Sequence, residues 1–115
     1  MKNGMHKDEF GDKSWYLNGK RHRADGPAIE YSNGNKIWYR NGKLHREDGP
    51  AVEWWDGDEE WYLNGKRHRT DGPAVIRANG TKWWYLNGGW YTFDKWLEVV
   101  NISEQEKIFL KLKWA

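Results

Sequence analysis

Apolar and polar positions along this chain recur with a period of 23 residues. The string Trp38-Tyr39-Arg40-Asn41-Gly42-Lys43-Leu44-His45-Arg46-Glu47-Asp48-Gly49-Pro50-Ala51 has near copies starting at Trp15 and Trp61 and a truncated copy starting at Trp84. Successive starts differ by 23 with no insertion (38 − 15, 61 − 38, 84 − 61), which marks a repeat array. Each unit carries two turn signals. In the first full unit these are Asn18-Gly19 and Asn33-Gly34, and Asn-Gly between β-prone runs is the strongest short hairpin signal. The second signal recurs as Asp56-Gly57 and Asn79-Gly80. Asp-Gly-Pro stands at 25–27, 48–50 and 71–73, where a residue without an N–H suits the entry to a strand. The pattern predicts strands at 28–32, 36–40, 51–55, 59–63, 74–78 and 82–86, one more at 13–17, and a degenerate one at 5–9. Eight strands about 4.8 Å apart make a ribbon of roughly 40 Å.

A two-residue turn at Asn33-Gly34 sets an expected register: Tyr31 opposite Lys36, Glu30 opposite Ile37, Ile29 opposite Trp38, Ala28 opposite Tyr39. One face then carries Ile29/Trp38, Val52/Trp61 and Val75/Trp84, with Trp15 at its start, and is the expected core. The other carries Ala28/Tyr39, Ala51/Tyr62 and Ala74/Tyr85, with the variable pairs Glu30/Ile37, Glu53/Glu60 and Ile76/Trp83 between them. A face that varies between repeats is a candidate for solvent or for a partner.

After Gly88 the pattern breaks. Thr92 can cap a helix running to about Val100 that buries Phe93, Trp96, Leu97 and Val100. Ser103-Glu104-Gln105-Glu106 reads as a capping box opening a second helix. Ile108, Phe109 and Leu112 form its apolar stripe, and Lys107, Lys111 and Lys113 suit its C-terminal end. Arrays need capped ends, and these helices are the expected cap. The predicted fold is therefore mainly β, a single-layer antiparallel sheet of hairpin repeats with two short C-terminal helices. It forms one domain: a degenerate half-repeat at 1–14, hairpin repeats at 15–91 and a helical cap at 92–115.

Composition narrows the function classes. The chain of 115 residues holds 19 aromatics, 10 of them Trp, which disfavours disorder despite a mean hydropathy of −1.11. A net charge of +2 from 19 basic and 17 acidic residues is too balanced to argue for nucleic acid by itself. The absence of Cys removes disulfides and thiolate chemistry. No stretch approaches the ~20 apolar residues of a bilayer span, and residues 1–8 lack the apolar run of a signal peptide. A soluble cytoplasmic protein, without a membrane role, is expected.

Tyr16-x-x-Gly19-Lys20-x-His22, followed by the later turn glycine Gly34, resembles the aromatic-x-x-Gly-x-x-His core of the MORN repeat over residues ~10–90. The resemblance departs after the His, where this chain reads His22-Arg23-Ala24-Asp25-Gly26-Pro27. Chains with this Asp-Gly-Pro-Ala form and a short helical end are similar to small proteins encoded by bacteriophages. The resemblance implies a hairpin ribbon used for binding, scaffolding or dimerisation, sometimes at membranes. It does not imply catalysis. A phage origin would add a host or defence component as the target of a small inhibitor or adaptor, acting in the host cytoplasm.

The candidate chemistry follows from these positions. His22, His45 and His68 invite a metal, but equivalent positions two strands apart are separated by about 9.5 Å, too far for ligands each about 2 Å from one zinc. A structural His bonded to Asp or backbone is expected instead, with no metal and no cofactor. Ser14, Ser32 and Ser103 lack a Gly-x-Ser-x-Gly context, and no nucleophile, base and oxyanion donor assemble, so no enzyme is expected. Arg23, Arg46 and Arg69 with Lys20, Lys43 and Lys66 should line one edge, where they could track phosphates of a nucleic acid or nucleotide or simply pair with neighbouring acids. Glu53 and Glu60 are expected directly opposite each other with Glu30 nearby, an acidic spot for a basic partner flanked by Trp54, Trp55 and Trp83; relieving that repulsion predicts that Glu60→Gln stabilises the isolated chain. Trp15, Ile29 and Trp38, beyond the reach of short helices, are the expected face of a two-fold dimer.

Overall fold

The computed structural model describes all 115 residues. Its main sheet is an antiparallel meander with strands at Gly4–Lys7, Lys13–Leu17, Ile29–Glu30, Lys36–Ile37, Val52–Glu53, Glu59–Glu60, Val75–Ile76, Lys82–Leu86 and Gly89–Tyr91, in chain order across the sheet. The molecule measures 48 × 28 × 20 Å. In the two middle units the strands are shorter than predicted because the chain bends at Trp38 and Trp61, whereas Lys13–Leu17 and Lys82–Leu86 run unbroken through Trp15 and Trp84. Trp38 donates its N–H forward to the Ala51 carbonyl (2.7 Å), while its own carbonyl accepts from His45 (3.2 Å). Beyond that corner Tyr39–Arg40 and Lys43–Leu44 form their own two-stranded ladder, as do Tyr62–Leu63 and Lys66–Arg67.

The two turns of a unit differ, and the difference corrects the expected register. At Asn18-Gly19 and Asn41-Gly42 both residues have positive φ (52° and 78°, 51° and 80°), the two-residue mirror-image turn that Asn-Gly favours. At Asn33-Gly34 only Gly34 does (100°). Tyr31 N–H bonds the Asn35 carbonyl and Gly34 N–H bonds the Tyr31 carbonyl, so the loop has three residues, not two. Ile29 therefore faces Ile37, not Trp38, and Glu30 faces Lys36. The same shift places Glu53 opposite Glu59, and Glu60 opposite Val52 and Val75. A one-residue slip exchanges the occupants of the two faces. One face carries the row Ile29, Ile37, Val52, Glu60, Val75 and Trp83. The backbone N–H groups of Trp15, Trp38 and Trp61 bond the carbonyls of Ala28, Ala51 and Ala74, residues that are fully buried. The expected aliphatic–Trp pairs do not form.

Junctions between repeats use side chains at fixed positions. His22, His45 and His68 accept at Nδ1 from the backbone N–H of Asn41, Asn64 and Asn87 (3.0, 3.0 and 2.9 Å). Asp12, Asn35 and Asp58 accept from the N–H of Ser32, Trp55 and Ala78 (2.8, 2.8 and 2.7 Å). Each two-residue Asn-Gly turn also docks on the hairpin of the unit before it, Gly42 N–H to the Arg21 carbonyl and Gly65 N–H to the Leu44 carbonyl. At the N-terminal end Asn3 stands in for the missing histidine by accepting from Asn18 N–H (2.8 Å).

At the other end the junction residues run out. Tyr91 occupies the next histidine position, and Thr92 the position of Arg23, Arg46 and Arg69. Thr92 instead caps helix α1 (Phe93–Val99) by accepting from Lys95 N–H, and Ser103 caps α2 (Glu104–Trp114) by accepting from Glu106 N–H. Trp84, Trp96, Leu97, Val100 and Leu110 form the core there, with Phe93 packed against it. The rings of Phe93 and Trp96 lie 4.5 and 4.7 Å from that of Trp84. The expected stripe of α2 is not the buried one: Leu110 is buried and Trp114 half-buried, while Ile108, Phe109 and Leu112 face solvent. Neither helix is long and apolar enough to cross a membrane.

Candidate functional site: an acidic, tryptophan-rich hairpin

The second full unit departs from its neighbours along residues 53–60, where Glu53, Asp56, Asp58, Glu59 and Glu60 accompany Trp54 and Trp55. The hairpin that carries them is held from both sides, by Asn35 on the Trp55 N–H and by Asp58 on the Ala78 N–H. At its base lies Glu60, which occupies the position that is Ile37 one unit earlier and Trp83 one unit later. Its side chain is 7% exposed and fully bonded. Trp54 Nε1 donates to Oε2 (2.8 Å), and Tyr62 Oη and Arg67 Nη2 donate to Oε1 (2.9 Å each). Burial alone would raise the Glu60 pKa, but the bonds from Trp54, Arg67 and Tyr62 and the Arg67 charge outweigh it and hold the carboxyl below its usual range. Burial, the Glu60 hydrogen bond and the Glu60 charge push the Tyr62 hydroxyl up.

Glu60 is thus an anchor, not an open acidic spot. It fixes the Trp54 indole by its N–H while leaving the ring 37% exposed. Trp83, in the same cross-strand row, is equally exposed and is flanked by Arg77, whose guanidinium carbon lies 5.0 Å from its ring centre. Arg77 is tied to Asp58 (3.3 Å). Trp55 at the hairpin tip is 71% exposed. Asp56, Asp58, Arg77, Ala78, Asn79, Thr81 and Trp83 line a shallow depression beside it. Two tryptophans are therefore presented on a braced acidic hairpin and a third, Trp83, on the strand two places along the sheet.

Glu30 and Glu53 do not join this group. They sit in the adjacent cross-strand row, on the opposite face, and each accepts from an arginine, Arg23 (3.3 Å) and Arg46 (3.2 Å). The expected Glu53/Glu60 repulsion does not exist, and with it goes the expected stabilisation by Glu60→Gln. Tyr62, Arg67 and Arg77 belong to the site without having been singled out by the sequence. Arg67 differs from the general pattern only as one of several loop arginines, and nothing in the linear order ties it to Glu60.

The basic loops have a different arrangement from the one expected of a phosphate track. Arg23, Arg46 and Arg69 lie over Trp15, Trp38 and Trp61, guanidinium carbon to ring centre 3.9, 4.0 and 3.9 Å. Each also bonds the Asp two residues on and the Pro carbonyl four residues on. The hydrogen bond from Arg46, and then its charge, hold the Asp48 carboxyl below its ordinary value. Gly26, Gly49 and Gly72 make room for these lids: a Cβ at each would meet the arginine guanidinium at 3.0, 2.9 and 2.7 Å. The lids explain the repeat string Arg-x-Asp-Gly-Pro as one device. Lys20, Lys43 and Lys66 stay exposed, their stems against the turn glycines Gly42, Gly65 and Gly88.

The uncovered face expected at Trp15, Ile29 and Trp38 is absent: Ile29 is 3% exposed and the two rings carry arginine lids. Each histidine ring must be unprotonated at Nδ1 to accept its backbone N–H, so the three are spent on the junctions. No three His, Asp or Glu side chains converge in a way that could hold a metal ion. Compared with known proteins, the chain matches no family model, no curated protein and no solved structure.

Proposed function

We propose that the protein is a non-enzymatic binding module that captures a basic protein partner through Trp54, Trp55 and Trp83. The observation that carries this reading is that Trp54 and Trp55 on the acidic hairpin, and Trp83 in the same cross-strand row on Lys82–Leu86, stay 37%, 71% and 37% exposed around a Glu60 network that fixes the first of them. Trp is over-represented among residues that dominate binding energies, and rigidly held rings lose little entropy on binding. The Glu60 network supplies that rigidity to Trp54. Asp56, which has no basic partner and lines the depression beside Trp83, supplies negative charge that would steer a basic partner. The resemblance noted from the sequence directs the search to host or defence components. Catalysis is not part of this reading, since the histidines that could serve as bases accept backbone N–H groups. Of the residues expected to track phosphates, only Lys20, Lys43 and Lys66 stay free, because Arg23, Arg46 and Arg69 are already partnered.

The test is capture of a partner from the natural host, followed by affinity measurement with two variants. Trp55→Ala combined with Trp83→Ala should weaken binding at least about a hundredfold, as loss of two hot-spot residues implies. Lys20→Gln, Lys43→Gln and Lys66→Gln together should leave it within about threefold, the effect of distant surface charges on a protein interface. The opposite ranking, with a steep loss of affinity between about 50 and 200 mM salt, would transfer the function to the lysine edge and a polyanion.

A further inference from the structure

Helix α2 has two apolar sectors, and the fold uses one. At about 100° per residue, Leu110, Trp114 and the Lys107 stem occupy one side. Leu110 is buried, and Lys107 is only 19% exposed. Ile108, Phe109 and Leu112 fall within about 100° on the other side. They are 57%, 61% and 82% exposed, with only Gln105 among them. Solvent-facing helix positions are normally polar, so an apolar stripe there requires a partner.

The charges beside the stripe identify the partner. One flank carries Glu104 and Lys111, and the other Glu106 and Lys113. On both, the acid is seven residues before the base. Two copies of the helix packed antiparallel bring like flanks together, Glu104 to the other copy's Lys111 and Glu106 to its Lys113, each twice by symmetry. The centres of these two pairings, midway between 104 and 111 and between 106 and 113, average to the boundary of Ile108 and Phe109. The symmetry axis required by the charges thus passes through the middle of the apolar stripe. A parallel pair would set acid against acid and base against base. Antiparallel packing also opposes the two helix dipoles. The present bonds of these side chains are compatible with the arrangement: Glu106 accepts from the Ser103 hydroxyl (3.1 Å), Glu104 lies 3.9 Å from Lys107, and neither Lys111 nor Lys113 has an acidic partner.

We propose that the chain forms a two-fold dimer through antiparallel pairing of α2, with Ile108, Phe109 and Leu112 at its centre. An 11-residue helix offers less than the ~800 Å² per partner of a standard interface, so the dimer is weak, with a dissociation constant of about 10–100 μM. It joins two copies through the helix that packs on Trp84, on the strand face opposite Trp83, so its failure and the failure of the proposed binding function are separate results.

Sedimentation equilibrium of the whole chain over a series up to about 500 μM, well above that dissociation constant, should show a monomer of 13.8 kDa passing to twice that mass. Leu112→Glu, on an exposed position that leaves the melting temperature unchanged, should weaken association at least about tenfold. A Glu104→Lys, Glu106→Lys variant and a Lys111→Glu, Lys113→Glu variant should each be monomeric, with folding verified by circular dichroism. Mixed together they should associate, because each supplies what the other lacks. A monomer throughout the series, association that ignores Leu112→Glu, or charge variants that dimerise alone as well as mixed would each overturn the proposal.

Discussion

Replacing Glu60 by Gln should destabilise the protein, and the size of the effect follows from its three donors. The carboxylate receives Trp54 Nε1 on one oxygen and Tyr62 Oη and Arg67 Nη2 on the other, at 2.8 to 2.9 Å. The amide of Gln has nearly the same shape but only one acceptor. Whichever way it turns, its NH2 opposes at least one of these donors, and Arg67 loses its counter-charge. A buried hydrogen bond to a charged group contributes about 1.5–3 kcal/mol. Breaking a fully buried pair costs about 3–5 kcal/mol, and since the Arg67 side chain is 34% exposed the lower range applies. We expect a loss of about 2–3 kcal/mol, seen as a melting temperature lower by roughly 8–12 °C for a chain of this size. The pH dependence supplies a second readout. The folded-state pKa lies below the unfolded value of about 4.3, so the unfolded chain takes up the proton first as pH falls. The Glu60 contribution is complete above that value and is lost as pH drops through the folded pKa, while the Gln variant lacks this component. Thermal unfolding of both proteins between pH 7 and pH 3 measures it. An unchanged or raised melting temperature at pH 7 would refute the network, and a gap that does not narrow in acid would refute its ionic character.

Three further outcomes follow. His45→Ala removes a ring that is 7% exposed and strands the Asn64 N–H, so it should cost about 2 kcal/mol by urea titration, and EDTA should change neither protein. Burial lowers the His68 pKa, so its share of stability is present above the unfolded value of about 6.5 and declines as pH falls below it; His68→Gln should flatten the stability profile in that window. Gly72→Ala places a Cβ 2.7 Å from the Arg69 guanidinium and should displace the lid from Trp61, with a loss of about 1–2 kcal/mol and a change in tryptophan fluorescence, whereas Gly80→Ala, strained by its positive φ (92°) but with open space around its Cβ, should cost stability and leave the Trp61 lid in place.

Much of the fold was legible because a repeat states its rules several times over. The 23-residue period, the paired positive φ at Asn18-Gly19 and Asn41-Gly42, and the helix caps Thr92 and Ser103 are local features, and local sequence settles them. So is the end of the array, where Tyr91 and Thr92 replace the junction His and the lid Arg. The Asp12, Asn35 and Asp58 junction was also present in the pattern, as an Asx residue recurring every 23 positions, though its partner 20 residues on was not. Tertiary structure decided the remainder. Whether Asn33-Gly34 closes a two- or a three-residue loop depends on which hydrogen bonds the flanking strands can complete with their neighbours, and that one residue determines which side chains share a face. It turned Glu60 from half of a repelling pair into the buried centre of a network, since its companions Trp54, Tyr62 and Arg67 converge only after the strands pair. The orientation of α2 was equally beyond local reading: a helix with apolar residues on two sides can bury either. Trp84, deprived of an arginine lid by Thr92, selected the side bearing Leu110 and Trp114, and left Ile108, Phe109 and Leu112 to the solvent.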